Sequence, residues 1–252
     1  MCYSIAFLET KINKLAERYQ ELLPFRWQDQ LASGLLAREL PAYYFVSGFS
    51  HPQLPLVTHE GIQVSGWGLI PHWTKNREVA EKRRSGTLNA VGETVFDKPS
   101  FRKSIRTGRC LLGVSGFFEW REFNNKKYPY FIYPKNDDLF SLGCIVDQWT
   151  DKDTGEVMST FSIITTPANP LMAEIHNRKR RMPLIIPPEA LRGWTDPRSS
   201  KEDVAGLICP MDQGHMQAHT VSRMLNYSRK ERNTPEALRA VKYPELPPLI
   251  AT

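Results

Sequence analysis

From residue 43 to residue 165 the chain reads as short apolar runs rich in β-branched and aromatic residues, separated by polar breaks. Tyr43–Val46, Gln63–Ile70, Cys110–Trp120, Tyr128–Tyr133, Phe140–Trp149 and Thr160–Thr165 predict strands, because such residues suit a pleated, half-buried surface. The breaks between the later runs, Asn124-Asn125, Lys135-Asn136-Asp137 and Asp153-Thr154-Gly155, hold the residues that turns demand. Ahead of these runs, Ile12, Leu15, Tyr19 and Leu22 recur at three- and four-residue spacings. That spacing predicts an amphipathic helix over residues 9–23, with Thr10 as its N-cap and Pro24 as its stop. Short helices are predicted at Pro170–Ile175, Pro188–Trp194, Ser200–Leu207 and Pro235–Val241, and Met182-Pro183 leads into a brief apolar run, Leu184–Ile186. There is no internal repeat and no low-complexity linker. The pattern predicts an α+β fold: one domain over residues 1–252, a β-rich core with small helices around it.

Composition narrows the class of function. The 252 residues suffice for a substantial core, and 41% hydrophobic with 24% charged residues is the balance of a soluble globular protein. No run approaches the length of a membrane span. Met1 to Glu9 lacks the basic, apolar and cleavage regions of a secretory signal, so the expected compartment is the cytoplasm, or the nucleoid when the protein is bound to DNA. The formal net charge of +6 favours an anionic partner, nucleic acid included, without selecting one. The four cysteines, Cys2, Cys110, Cys144 and Cys209, form no C-x-x-C pair, and disulfides are not expected in that compartment. Cys209, His215 and His219 have C-x5-H-x3-H spacing but no fourth ligand nearby, so no metal is expected. No glycine-rich phosphate loop or dinucleotide fingerprint calls for a cofactor.

An ordered set of motifs carries the chemistry. Met1-Cys2 opens the chain. Trp67-Gly68-Leu69-Ile70-Pro71-His72-Trp73 follows a strand, and Asn89-Ala90 precedes Glu93-Thr94. Phe101-Arg102 and Arg109-Cys110-Leu111-Leu112 then lead into Val114-Ser115-Gly116-Phe117-Phe118-Glu119-Trp120. Phe161-Ser162-Ile163-Ile164-Thr165-Thr166, Ala168-Asn169, Ile175-His176 and Arg181-Met182-Pro183 complete it. From Cys2 to about Asn226 this set resembles the SOS-response-associated peptidase family, the abasic-site-capturing proteins, and leaves residues 227–252 as a C-terminal extension.

The resemblance implies a mixed, barrel-like β core with a DNA-binding cleft. It implies a partner, single-stranded DNA containing abasic sites, and a thiazolidine link between Cys2 and the abasic-site aldehyde. It places Asn89, Glu119 and His176 beside Cys2 as active-site residues, and the family name implies peptidase activity, with removal of Met1 partly autocatalytic. This sequence departs from the family in three places. Tyr3-Ser4 replaces the usual Gly-Arg after the cysteine, Val91 replaces an arginine, and His176-Asn177-Arg178-Lys179-Arg180-Arg181-Met182-Pro183 is about three residues longer than His-x-Arg-Met-Pro. The basic insertion is expected to replace the lost phosphate contacts.

The residue types suit that chemistry. Only an N-terminal cysteine offers an amine and a thiol on adjacent carbons. Its amine, with a pKa of about 7.7–8.0, is partly neutral and nucleophilic at physiological pH, and its thiol gains reactivity where a neighbour lowers its pKa. A retained Met1 would block the amine and project into the space for the sugar. Glu119, within an apolar run, becomes a proton shuttle if desolvation raises its pKa; its alternative is a solvent-facing strand end. His176 would protonate the sugar ring oxygen, or else is a core or capping histidine. Asn89 would hold the Cys2 backbone or the sugar, or else sits in a turn. Trp67, Trp73 and Trp120 are candidate stacking platforms against bases, with core packing as the alternative. Lys82-Arg83-Arg84, Arg102-Lys103, Arg106, Arg109 and Arg178, Lys179, Arg180 and Arg181 are candidate phosphate contacts, with solvated surface as the alternative. Two other functions stay open: a thiol peptidase with Cys2 as N-terminal nucleophile and His176 as base, and a non-covalent single-stranded DNA-binding module.

Overall fold

The computed structural model describes residues 2–25, 27 and 39–250. Its core is a closed barrel of five strands: β3 (Gln53–Thr58), β4 (Gly61–Trp67), β6 (Arg109–Val114), β9 (Phe140–Thr150) and β10 (Val157–Pro167). The order β10-β4-β3-β6-β9 returns to β10, which leaves no free edge around the ring. All its pairings are antiparallel except β4 with β10, so the barrel is mixed. The long strand β10 also pairs with β5 (Asn89–Val91) in parallel and with β11 (Arg181–Pro183) in antiparallel fashion. Its residues Phe161, Ile163 and Ile164 are fully buried although Ile163 and Ile164 point to opposite faces, because both faces of the strand are covered.

Against the barrel lies an antiparallel sheet of β12 (Met216–Thr220), β8 (Lys126–Pro134), β7 (Gly116–Phe123), β1 (Ser4–Phe7) and β2 (Tyr43–Ser47), in that order. The predicted strand Cys110–Trp120 is thus two strands in two sheets, broken at Ser115. Gly116 marks the break, because a Cβ there would lie 2.4 Å from the Ile132 carbonyl and 2.5 Å from the Phe131 ring. Gln63–Ile70 stops at Trp67, where Gly68 takes φ +112, a left-handed conformation that favours glycine. Asn124 and Asn125, with φ 48 and 57, form the two-residue turn that joins β7 to β8.

Among the helices, α1 (Ile12–Arg18) continues as a 3-10 turn over Gln20–Leu22 and packs Ile12, Leu15 and Ala16 inward. Its N-cap is Lys11, not Thr10, whose hydroxyl donates to Glu39 instead. Among the described residues, two helices without a strong apolar stripe escaped the sequence reading: α2 (Arg77–Arg84), capped by the Asn76 side chain on the Val79 N–H, and α3 (Ser104–Thr107). Helix α4 (Pro170–Ile175) falls where the sequence puts it, with Pro170 at its start and the Asn169 carboxamide accepting from Met172 N–H. The stretch Pro188–Trp194 divides into a 3-10 turn and α5 (Leu191–Thr195), whereas α6 (Lys201–Leu207) carries a complete capping box from Ser200 and Asp203. Pro235–Val241 yields only a 3-10 turn, Pro235–Leu238, within an extended C-terminal strap. The strap is held in turn by Val241 N–H on the Thr220 carbonyl, the Tyr128 hydroxyl on Glu245, Arg121 on the Pro247 carbonyl and Ile250 N–H on the Glu174 carboxylate. No helix among the described residues is long and apolar enough to cross a membrane.

Candidate active site

Strand β1 pairs with β7 only at Ile5–Phe117 and Ala6–Gly116. Extending that register by two residues brings Tyr3 level with Glu119, and Cys2 follows it into the core. Cys2 is fully buried, and its thiol points at the Ser4 carbonyl, 3.9 Å away. Burial pushes the thiol well above its ordinary value, and the Glu119 carboxylate pushes it further the same way. Activation of the thiol by a neighbour that lowers its pKa is therefore not met in this arrangement, where burial and the Glu119 charge outweigh the N-terminal ammonium that favours the thiolate.

Glu119 is also buried, on the stretch of β7 that runs past the start of β1. Desolvation raises its carboxyl to about 7. His176 caps the C-terminal end of α4, with its N–H on the Met172 carbonyl and its Nδ1 2.8 Å from the Arg181 carbonyl. Its Nε2 faces Glu119 Oε2 at 3.8 Å, and burial lowers the imidazole to about 4. A strand that leaves one sheet and a helix that ends beside it thus bring together residues 119 and 176, with the Cys2 thiol next to them.

Glu119 and His176 line a cleft of about 630 Å³ with Tyr3, Trp120, Glu122, Lys126, Lys127, Arg178, Lys179 and Arg223. Basic side chains outnumber acidic ones around it, which suits a polyanion. Trp120 stands in its wall, with its indole N–H on Asn226 Oδ1 at 2.6 Å. Another cavity, about 560 Å³ and mostly apolar, is edged by the Arg18–Asp137 ion pair.

Not every candidate gathers here. Asn89 is buried in β5, is not among the residues lining the cleft, and neither polar atom of its carboxamide has a hydrogen-bond partner among the described residues. Trp67 is no stacking platform. It is wholly buried, stacks on Phe161 at 6.1 Å, donates its N–H to the Leu88 carbonyl and packs against Gly48, because it ends an inward-facing strand. Trp73 is 46% exposed but lies away from the cleft lining, with the Arg83 guanidinium 4.8 Å over its ring. Arg178, Lys179 and Arg180 are exposed, and the first two line the cleft. Arg181 is not available to phosphate: its guanidinium pairs with Glu93 and donates to the Thr165 carbonyl at 2.7 Å. Arg109 is likewise spent, buried and donating to the carbonyls of Trp194, Ile105 and Arg106. His219 of the suspected metal spacing holds the Leu238 carbonyl with Nε2 while Cys209 is exposed, and no metal-binding group of three is found among the described residues. The expected intrusion of Met1 into the sugar space falls outside the described residues. Sequence reasoning missed Lys126, Lys127, Arg223 and Asn226. The first two follow the Asn124-Asn125 turn and so return beside Glu119, a signal present in the hairpin; the last two arrive from distant sequence with none.

A closed mixed barrel, an appended antiparallel sheet and a thiol–carboxyl–imidazole centre under a basic cleft define the class of protein. Residues 8–228 match the SOS response associated peptidase (SRAP) family, and the chain belongs to that family. It is 35% identical over 176 residues to the abasic site processing protein YoqW of Bacillus subtilis, spanning 69% of this chain and 74% of that one. It is 32% identical to the abasic site processing protein HMCES of Xenopus tropicalis, spanning 69% of this chain and 56% of the longer relative. A solved structure from Bacteroides thetaiotaomicron is 38% identical, with a TM-score of 0.83 over 96% of this chain and all of that one. A Bordetella bronchiseptica protein at 18% identity shares the fold, with a TM-score of 0.68.

Proposed function

We propose that this chain processes abasic sites in single-stranded DNA, trapping the open-chain aldehyde covalently on Cys2 once Met1 has been removed. The observation that carries the reading is the grouping of the Cys2 thiol, a carboxyl near pH 7 and a neutral imidazole under a basic cleft. The names of the relatives point to the same lesion.

In this reading the freed amine of Cys2 attacks the aldehyde carbon, and loss of water gives an imine. The thiol then adds across the C=N bond, its sulfur to carbon and its proton to nitrogen, which closes the five-membered ring. An uncharged thiol suits this order, because the amine acts first. Glu119, poised near neutrality, gives a proton to the departing water and takes one from the amine. With His176 neutral down to about pH 4, the acid that opens the sugar ring is Glu119 rather than His176, which orients the carboxyl. Asn89, buried behind the cleft with no carboxamide partner among the described residues, is given no step in this reading. A thiol peptidase would need Cys2 as a thiolate, which burial and Glu119 both oppose.

Incubation with an abasic single-stranded oligonucleotide, followed by a denaturing gel and intact mass spectrometry, tests the reading. Protein beginning at Cys2 gains the mass of the oligonucleotide less water. A product on molecules that retain Met1, or none on processed protein, overturns the aminothiol route.

A further inference from the structure

We propose that Asn177 is a positioning residue whose side-chain amide splints the loop after His176 to β7 and so holds His176 against Glu119. The Asn177 Oδ1 accepts from the Glu122 backbone N–H at 3.1 Å, and its Nδ2 donates to the Glu122 carbonyl at 2.8 Å. One planar carboxamide thereby exchanges two bonds with one strand residue, as a neighbouring strand would in an antiparallel ladder.

The strand has a place for it. The pairing of β1 with β7 ends at Phe117, so the stretch of β7 that carries Glu119 and Glu122 runs on past its neighbour. Arg178 adds an ion pair to the same residue, its Nε 3.1 Å from Glu122 Oε2. At its far end the loop closes on itself: Arg180, with φ 48, donates its N–H to the His176 carbonyl and accepts from Ala168 N–H. These far contacts fix the loop to the segment between β10 and α4, and the Nδ1 bond to the Arg181 carbonyl fixes His176 to β11. The splint at Glu122 fixes it to the strand that bears Glu119. Without that splint, the 3.8 Å approach of imidazole to carboxylate loses its side-chain tie to β7 and is left to α4 packing and the bonds of His176 to Met172, Arg180 and Arg181.

The inference rests on the proposed chemistry for its kinetic consequence but not for its geometry, and two measurements separate them. The first follows the His176 imidazole by NMR across pH in the intact wild-type protein and in Asn177→Ala. The wild type titrates near 4, and the variant moves up toward the ordinary value of about 6.5 as the ring loosens from its buried seat. The second compares single-turnover capture of abasic single-stranded DNA with equilibrium affinity for the undamaged strand. In Asn177→Ala capture slows by about tenfold or more, since small misplacements of reacting groups are costly, while affinity and thermal midpoint stay near wild type. Asn177→Asp, which keeps the acceptor but sets a carboxylate against the Glu122 carbonyl, behaves like the alanine variant and substitutes for it if that one does not fold. An unchanged His176 titration overturns the proposal, as does a rate loss matched by an equal loss of affinity, which would make Asn177 a DNA contact. Failure of the wild type to capture abasic DNA overturns the proposed function, and the titration still decides the role of Asn177.

Discussion

The Nε2 atom of His176 lies 3.8 Å from Oε2 of Glu119, and the two groups are shifted toward each other's ordinary range: the carboxyl rises to about 7 and the imidazole falls to about 4. Burial does both, because it penalises whichever form carries charge. Between those two values each partner is mainly uncharged, and any proton shared by the pair sits on the glutamate.

The stability of the fold therefore depends on pH in opposite senses at the two residues. Glu119 binds its proton more tightly folded than unfolded, so its contribution is full below about 4.5 and is lost as pH rises through about 7. Relative to Glu119→Gln, the wild type loses up to on the order of 3 kcal/mol of unfolding free energy across that window. His176 contributes above about 6.5 and loses that contribution as pH falls through about 4, relative to His176→Asn. Urea titrations at four pH values measure both, and parallel curves for wild type and variants contradict the burial-driven shifts.

Cys2→Ala removes covalent capture and leaves the affinity for single-stranded DNA within about threefold, because phosphate contacts supply most of that binding. The thiol is buried behind Glu119 and is not among the residues that line the cleft. A denaturing gel and a fluorescence anisotropy titration on the same sample read the two effects. Persistent crosslinking by the alanine variant would assign the capture to an amine acting without the thiol, either the α-amine of residue 2 or a lysine.

Neutralising Arg178, Lys179 and Arg180 together weakens DNA binding and lowers the slope of log affinity against log salt by about 2, at about 0.7 per phosphate released from a single strand. Arg181→Met leaves that slope alone and costs stability instead, because it strands Glu93 and the Thr165 carbonyl. Equal salt slopes for the triple variant and the wild type would reassign the segment to solvated surface.

The tryptophans divide in the same way. Trp67→Ala costs about 3–5 kcal/mol of stability, the cavity penalty of a large buried ring. Trp120→Ala has a small effect on folding but weakens binding of single-stranded DNA by about 1–3 kcal/mol, the worth of one stacked base. Denaturant melts and binding isotherms on both variants separate these outcomes, and a DNA defect in folded Trp67→Phe with none in Trp120→Ala reverses the assignment.

Long apolar runs such as Phe140–Trp149 and Thr160–Thr165 were legible as strands because both flanks of a barrel strand are covered. Strand β3 was not, since Pro55 and the flanking turns mask a pattern that the barrel alone completes. Glu119 could be singled out as a carboxylate in an apolar run, and His176 as a residue at the end of a Pro-started helix. Their mutual distance could not, because it depends on the chain leaving the barrel after β6 and on β7, in the other sheet, packing against α4. Charge was the poorest guide: Arg109 and Arg181 look like their exposed neighbours in the sequence, yet each is committed to carbonyls or a carboxylate inside the fold.

The C-terminal strap ends on Glu174, two residues before His176 on the same chain segment, through the Ile250 amide. Glu174 lies in the last turn of α4, the helix whose C-terminal end His176 caps. An affinity handle or reporter fused close behind Ile250 therefore perturbs the assay it is meant to serve, and a cleaner attachment point is the exposed Asp153-Thr154 turn, with Gly155, at φ +73, left in place.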